Sequence, residues 1–471
     1  MEEADNSKKK EPGTWMSFLV FGIAIAIILT GVVILEFDVH IVLLLALIFV
    51  CVVSATLGYS FDDLVEFMKK SLGQAMSAMI IFIFIGVIIA SWIFSGTVQT
   101  LIYYGLQYIS PAVFLPVGLL LCSLTSMSIG TSWGTIGTMG IAMMGIGSGM
   151  GIPPAVTAGM VISGSFFGDK MSPISDTTNL APASAGTTLY KHISAMWKTT
   201  LPAYIISFII FVVIGLAYQD GEINTETVAI FSDTIRANFK ISPILLLPMI
   251  VLVLNLMKFP AIPGMVIGSL LGVILAITVQ GVPVGDVIAG LNYGYVKSTG
   301  VDVVDTLLCR GGIQNMMYTF SLSCIAISFG GVMEHVGYLR KIIAVVIKGV
   351  KKDALMVPLV IASTTLGTLT MGEVYLSIVV NGNLYKETFK ERGLCPEMLS
   401  RLLEEGGTLT QCFIPWSTSG VFILATLGVG ASEYWKYAVL NYMNPILSIV
   451  LALFGFGILH MKDGNKENME E

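Results

Sequence analysis

Long apolar stretches recur along the whole chain, each of about the length that crosses a bilayer. The first three are Trp15–Leu35, Val39–Leu57 and Ala75–Ser95, and others follow almost to residue 460. A helix of about 20 apolar residues spans the hydrocarbon core of a membrane. Only 12% of the 471 residues are charged, against about 25% in soluble domains. The sequence therefore predicts an all-α integral membrane protein.

The remaining composition excludes other classes of protein. The six cysteines form no Cys-x-x-Cys pair and lie mostly in or beside apolar stretches, which indicates packing and not disulfides or metal ligands. The chain has no basic patch for nucleic acid and no GxxxxGK[ST] or H-E-x-x-H motif, so we expect no cofactor. Its start, MEEADNSKKKEPGTW, lacks a signal-peptide cleavage pattern, so the first apolar stretch is predicted to be retained.

The two halves of the chain repeat the same order of stretches. A shift of 242 residues without gaps superposes five pairs: Gly151–Gly393, Pro154–Pro396, Gly164–Gly406, Pro173–Pro415 and Ser175–Ser417. With a short gap, TSWGT at 131–135 also matches LTMGE at 369–373, which pairs Thr135 with Glu373. We predict two homologous repeats. The predicted divisions are a cytoplasmic tail at 1–14, repeats at 15–218 and 242–460, a polar extracellular linker at 219–241 and a cytoplasmic tail at 461–471.

The distribution of basic residues predicts that the second repeat is inverted. Five crossings plus one re-entrant hairpin in each half, at 111–150 and 354–380, would reverse its orientation. With both termini in the cytoplasm, 18 of the 25 Lys and Arg fall inside, five outside, and Lys170 and Arg401 within the membrane. This bias follows the positive-inside rule. We predict about ten transmembrane helices and two re-entrant hairpins in the plasma membrane of a prokaryote.

In each half a hairpin tip is predicted to meet a broken helix at the membrane midplane. Thr131–Thr135 would meet the break at Asp169–Asn179, and Thr368–Glu373 would meet the break at Gly406–Ser419. Irregular backbone is tolerated at this depth only where it is buried in protein or lines a polar cavity. Paired broken helices in inverted repeats are typical of secondary transporters. Hydroxyl, carbonyl and carboxylate oxygens suit a hard cation such as Na⁺.

Acidic residues at these breaks favour exchange of a cation for protons. A carboxylate within a bilayer is costly and commonly functional. Because burial favours its neutral form, it can hold either a proton or a cation near neutral pH. Asp169 and Asp176 are the candidates in the first half. Structural roles remain open: Asp169 could pair with Lys170, and Asp176 could cap a half-helix. Backbone groups freed by the break could be satisfied by Thr177, Thr178 and Asn179. Lys170 could also replace the cation in an empty site.

The second half carries a different set of charges. Arg401 lies three and four residues before Glu404 and Glu405, on one helical face. An Arg401–Glu405 ion pair would leave Glu404 without a basic partner. This surplus acid is a candidate proton carrier. Glu373, at the second tip, is a candidate transport residue, tip anchor or gate.

Several motifs resemble one known family. TSWGT, GDKMSPISDTTN, the Glu-Glu-Gly-Gly of 404–407 and the chain length are similar to the NhaC family of sodium/proton antiporters, which includes exchangers of malate and lactate. The resemblance implies the fold of the ion-transporter superfamily, in which hairpin tips and broken helices hold Na⁺, and it suggests a homodimer. Carried over to this chain, it implies a cation site of six residues: Thr131, Ser132, Ser175, Asp176, Thr177 and Asn179.

Exchange of Na⁺ for H⁺ is the leading functional prediction. The alternative is Na⁺- or H⁺-coupled exchange of a small organic anion such as malate or lactate, which would need half-helix N-termini and hydroxyls. Four residues could supply the hydroxyls: Thr408, Thr410, Ser417 and Thr418. The G-x-S-x-G of 130–134 formally suggests a serine enzyme. That activity is disfavoured because the four histidines are predicted at span ends or in loops.

Overall fold

The protein is helical, as its composition predicts. A computed structural model describes residues 10–219, 225–251, 254 and 259–461. Within these residues the only β pairing is an isolated bridge between Leu394 and His460. Most of both predicted tails, the start of the linker and the end of the apolar stretch at 243–257 lie outside the described residues.

The described residues of the first half form ten α-helices: α1 (Thr14–Leu29), α2 (Val39–Thr56), α3 (Phe61–Phe94), α4 (Thr97–Tyr108), α5 (Pro111–Ile129), α6 (Ser132–Thr135), α7 (Ile141–Gly149), α8 (Pro154–Met171), α9 (Asp176–Ala185) and α10 (Leu189–Gln219). The described residues after them form α11 (Thr225–Asn238), α12 (Ala261–Leu275), α13 (Val284–Tyr293), α14 (Asp302–Leu308), α15 (Ile313–His335), α16 (Tyr338–Gly349), α17 (Met356–Met371), α18 (Val374–Glu391), α19 (Pro396–Gly406), α20 (Thr418–Leu427), α21 (Ala431–Tyr434) and α22 (Val439–Leu453). Short 3₁₀ turns lie at Pro243–Met249, Asp353–Leu355 and Gln411–Phe413, and π-helical turns at Thr30–Ile34, Ile136–Gly140 and Ala276–Gln280.

Many of these helices are suited to lipid. Among the described residues, seven helices are long and apolar enough to cross a membrane, or eight if the pair Phe61–Met76 and Met79–Phe94, bent by 45°, forms one span. Helix α10 exposes Ile205, Ile209 and Val213 at a spacing of four residues, so one of its faces is apolar and unburied. The chain is a multi-pass membrane protein.

Two helical hairpins turn at glycines with left-handed backbone. Gly130 ends α5 with φ 76°, and Gly372 ends α17 with φ 65°. Glycine adopts this conformation without the steric penalty of a Cβ. The next residues, Thr131 and Glu373, are extended, and a new helix begins directly after each. Each hairpin therefore reverses the chain within two residues and presents a short extended tip.

Element boundaries recur at a constant spacing of 242 residues. Helices α8 and α19 begin at Pro154 and Pro396, and α9 and α20 have starts and ends with the same separation. The two hairpins obey this spacing as well, because Gly130 and Gly372 turn them. The ungapped shift therefore pairs Thr131 with Glu373. The gap that pairs Thr135 with Glu373 in the sequence comparison is wrong.

The linker is more ordered than its polar composition indicates. Helix α11 occupies most of the stretch that the sequence suggests is a polar loop, and it buries Phe231 and Ile235 in the main apolar core. These two side chains lie four residues apart, on one helical face. The apolar stretch that follows opens as a 3₁₀ turn containing Pro248, which cannot donate a backbone hydrogen bond.

Glycine lets each hairpin lie directly against its broken helix. A Cβ placed on Gly164 of α8 would lie 2.7 Å from the carbonyl oxygen of Leu119 and 2.8 Å from Cβ of Cys122 in α5. In the second half, a Cβ on Gly406 would collide with the carbonyl oxygen of Ile361. Both crossings are thus backbone against backbone, and they hold the two tips beside the two breaks.

We expect Gly164→Ala to destabilise the protein by about 1–3 kcal/mol, the usual cost of overpacking a tight contact. The measurement is the melting temperature of the purified protein in detergent. Gly73→Ala is the matched control, because Gly73 is also helical and a Cβ there would meet nothing within 4 Å. The control should melt at or slightly above the wild-type temperature, since alanine favours helix. Equal melting temperatures for both variants would contradict the tight crossing.

Candidate functional site

Asp169 is the centre of the first break. It lies in the last turn of α8 and is buried, with 6% of its surface exposed. Its Oδ2 accepts a hydrogen bond from Ser132 of the first tip (2.7 Å), and its Oδ1 accepts one from Ser175 of the break (2.6 Å). A hydroxyl that donates its proton still carries two lone pairs. Asp169 therefore orients two hydroxyl oxygens that can receive a cation.

A small cavity lies at this carboxylate. Its volume is about 20 Å³, measured as the space open to the centre of a water-sized sphere. On this measure, about 10–15 Å³ is enough to hold one water molecule. Its lining combines both halves of the chain: Gly130, Thr131, Ser132, Trp133, Asp169, Ser175, Asp176, Thr177, Val374, Tyr375 and Gln411. The sequence therefore predicted six lining residues that the structure brings together. It missed Val374, Tyr375 and Gln411, which come from the second tip and the second break.

Asp176 stands at the mouth of this cavity. It is exposed, and it borders both the small cavity and a larger one of about 560 Å³. Asn179 borders only the larger cavity of these two, and its amide donates to the backbone oxygens of Pro173 (3.0 Å) and Ser175 (2.7 Å). Of the seven predicted cation ligands, Asn179 is therefore the one outside the small cavity, where it holds the backbone of the break.

A second cluster contains four buried charges. Glu405 accepts a hydrogen bond from Thr199 (2.7 Å), and its Oε1 lies 3.6 Å from Nε of Arg401 and 4.0 Å from Nζ of Lys170. All three charged side chains are at most 1% exposed. The predicted Arg401–Glu405 pair is present. Lys170 joins this cluster, and its one close carboxylate among the described residues belongs to Glu405 and not to Asp169.

Glu404 is the surplus acid of this cluster. It is fully buried, and among the described residues no donor lies within 3.5 Å of either carboxylate oxygen in hydrogen-bonding geometry. The hydroxyls of Thr177 and Thr408 are close enough to interact with the carboxylate, as are the charges of Lys170 and Asp169. Glu404 therefore lies between the small cavity, which Asp169 and Thr177 line, and the charged cluster. An unpaired buried carboxylate is expensive, so this position favours a group that takes up and releases a proton.

The remaining candidates serve mainly the second tip and break. Glu373 accepts from the backbone N–H of Tyr375 (3.4 Å) and lies beside Thr418, which places the acid at the tip but outside the small cavity. Thr410 donates to the backbone oxygen of Gly406 (2.5 Å), and Ser417 caps α20 through the N–H of Gly420 (3.0 Å). None of the four candidate substrate hydroxyls lines the small cavity or the 560 Å³ cavity.

One histidine is more buried than its position in the sequence suggests. His192 lies in the first turn of α10, at a span end as predicted, but it is fully buried, and its Nδ1 lies 2.8 Å from the hydroxyl of Ser400. Ser132 donates to Asp169 and not to a histidine, so the G-x-S-x-G stretch does not form a serine nucleophile with its base.

Known proteins of similar length match this chain over nearly all of its residues. A model of the Na⁺/H⁺ antiporter family matches residues 13–178 and 164–456. The chain is 35% identical over 452 residues to the Na⁺/H⁺ antiporter NhaC of Alkalihalophilus pseudofirmus, covering 96% of this chain and 97% of that protein. It is 34% identical over 453 residues to the malate-2H⁺/Na⁺-lactate antiporter of Bacillus subtilis, with coverage of 96% and 97%.

A third relative is named for a different pair of substrates. The arginine/ornithine antiporter ArcD of Halobacterium salinarum is 33% identical over 477 residues, covering 99% of this chain and 97% of that protein. Each of these matches extends over both hairpins, both breaks and the charged cluster. The chain belongs to the Na⁺/H⁺ antiporter family.

Proposed function

We propose that this protein is a secondary transporter, and not an enzyme, that exchanges Na⁺ for H⁺ across the plasma membrane. The observation that carries the proposal is Asp169, a buried carboxylate that orients the hydroxyls of Ser132 and Ser175 at a cavity of about 20 Å³. Oxygen ligands of this kind suit a hard cation. Membership of the antiporter family supports the same activity.

Competition for buried carboxylates couples the two ions in this proposal. Sodium binds when Asp169 is charged, together with Thr131, Ser132, Ser175, Asp176 and Thr177, and a proton neutralises the acid when sodium leaves. Glu404 acts as the second proton acceptor, because it is a fully buried acid that the Arg401–Glu405 ion pair leaves without its own arginine. Glu405, Arg401 and Lys170 hold the surrounding charge in balance, and Glu373 anchors the second tip. The cycle needs no cofactor.

The proposed architecture is a pair of inverted repeats at 15–218 and 242–460, with about ten crossings and both termini in the cytoplasm. Each hairpin turn and each broken helix of the first half lies 242 residues before its counterpart in the second half, which supports the repeats. The two hairpins would be re-entrant, with their tips at the membrane midplane. Alternating access would then move one repeat relative to the other around the site. A homodimer is part of the same proposal.

The alternative substrate, an organic anion such as malate or lactate, has less support from the site. Among the described residues, the lining of the small and the 560 Å³ cavity includes the acids Asp169 and Asp176 and no basic side chain. Lys170 and Arg401 are engaged by Glu405. A site with this charge attracts cations and repels carboxylates.

Purified protein in liposomes with an internal pH dye tests the activity. We expect an imposed Na⁺ gradient to move protons without any organic acid present. Malate and lactate, added one at a time on either side, should leave the rate unchanged. Proton movement that strictly requires one of them would instead support the organic-anion exchanger.

We expect Asp169→Asn to lower Na⁺-driven proton flux by at least about 10–100-fold, because loss of even an outer-shell partner costs a metal site that much. The amide keeps the size of the side chain and can accept a hydrogen bond, but it has no charge for Na⁺ and cannot exchange a proton. Asp176→Asn makes the same change at the second carboxylate of the proposed site, which lies at the exposed mouth. It should retain flux with a higher KM for Na⁺. Wild-type flux in Asp169→Asn would remove this carboxylate from the mechanism.

The pH dependence of Glu404→Gln tests the proton acceptor. In the wild type, the KM for Na⁺ should rise as the pH falls, by up to about tenfold per unit for each competing proton. Glu404→Gln cannot be protonated, so its KM should depend less steeply on pH. Glu405→Gln should keep the wild-type slope but lower the melting temperature, because it leaves two buried cations unpaired. Identical slopes for Glu404→Gln and the wild type would contradict the role of Glu404.

A further inference from the structure

Gln411 occupies the place in the second break that Asp169 occupies in the first. The two residues are 242 positions apart, the same spacing that relates the hairpins and broken helices around them. Asp169 lies in the last turn of α8, and Gln411 begins the 3₁₀ turn after α19. Despite their distance in sequence, both line the same small cavity. This cavity is therefore built around a related pair of positions, one acidic and one neutral.

The side-chain oxygen of Gln411 lacks a partner. Its Nε2 donates to the backbone oxygen of Thr408 (3.2 Å), which fixes the orientation of the amide and directs Oε1 elsewhere. Gln411 is 3% exposed, and its Oε1 is buried without a hydrogen bond among the described residues. A buried acceptor left unpaired costs about 1–3 kcal/mol. A cation in the cavity would recover that cost.

We propose that Oε1 of Gln411 is a ligand of the transported cation, so that the ion is held between the two halves of the chain. This inference rests on the sodium site proposed above and adds a ligand from the second half. An amide oxygen suits a hard cation but does not titrate. Gln411 therefore strengthens cation binding without adding a second group for which protons compete. Asp169 remains the only titrating member of the related pair.

The position also gives the bound ion a mechanical role. Ser132 and Asp169 belong to the first hairpin and the first break, whereas Gln411 belongs to the second break. A cation touching all three bridges segments that would move against each other during alternating access. Occupancy of the site would then favour the arrangement in which both breaks face the same cavity.

The chain offers a matched control in Gln99. This glutamine is also fully buried, its amide also donates to a backbone oxygen (Ile93, 3.1 Å), and its Oε1 also lacks a hydrogen bond. It lies in α4 and does not line the small cavity. Gln99→Leu and Gln411→Leu therefore remove the same kind of group, and only the second should affect the cation.

Two measurements on purified protein test this ligand at constant ionic strength and pH. The first is the rise in melting temperature as Na⁺ replaces choline, because a ligand of the folded state stabilises it. The second is the KM for Na⁺ in proteoliposomes. Gln411→Leu should need about tenfold more Na⁺, or still more, in both. Gln99→Leu should respond to Na⁺ as the wild type does.

Gln411→Glu decides the question if Gln411→Leu cannot be purified. It keeps the shape of the side chain and adds a group that binds protons, so its KM for Na⁺ should fall at alkaline pH and rise more steeply toward acid. Wild-type Na⁺ responses in Gln411→Leu, or a wild-type pH slope in Gln411→Glu, would overturn the inference. A wild-type protein without any Na⁺ response would instead refute the sodium site itself.

Discussion

The free carbonyl groups at the ends of the two hairpin helices must find partners inside the protein, because a bilayer offers none. The structure solves this problem in the same way twice. In the first break, Ser172 donates to the carbonyl oxygen of Met127 (2.7 Å) in the adjoining hairpin. In the second, Trp416 donates to the carbonyl oxygen of Leu369 (2.8 Å). Met127 and Leu369 are again 242 residues apart, so each break satisfies a carbonyl of its own hairpin at a related position.

The backbone at the first break is satisfied locally, where the Thr178 hydroxyl lies 3.1 Å from the carbonyl oxygen of Asp169 and 2.9 Å from that of Lys170. The Asp169 carboxylate accepts from two other hydroxyls, and Lys170 turns toward the second half. The cluster of Lys170, Arg401, Glu404 and Glu405 has two positive and two negative side chains when all are charged. Protonation of Glu404 leaves it with a net positive charge. The proposed exchange therefore changes the electrostatic balance of a region that contacts both halves.

The sequence predicts the positions of helices, hairpins and breaks better than it predicts which side chains contact each other. Apolar stretches, glycines and prolines locate the hairpins and breaks, and the Arg401 spacing identifies its pair with Glu405. The ion-pair partner of Lys170 is harder to predict, because the adjacent acid in the sequence is Asp169. Adjacent side chains on a helix do not face each other, and this rule points Lys170 away from Asp169. The partner itself, more than 200 residues later, requires the folded chain.

Other features could not be predicted from local composition. Helix α11 is polar overall, and its two buried side chains become informative only when the neighbouring helices are in place. His192 lies near the start of α10, beside Ser400 of α19, so its burial depends on a contact across the molecule. Gln411 could have been found by extending the 242-residue shift from Asp169, since its position was already within the aligned region.

Asp176 and Tyr375 border both the small cavity and the 560 Å³ cavity, and this shared wall bears on how an ion would shed its hydration shell. An ion arriving from the larger space would meet the carboxylate while most of its water molecules are still attached. Protein oxygens could then replace those waters one after another, and no step would leave the ion bare. Gradual dehydration of this kind keeps entry fast without requiring the final site to bind tightly.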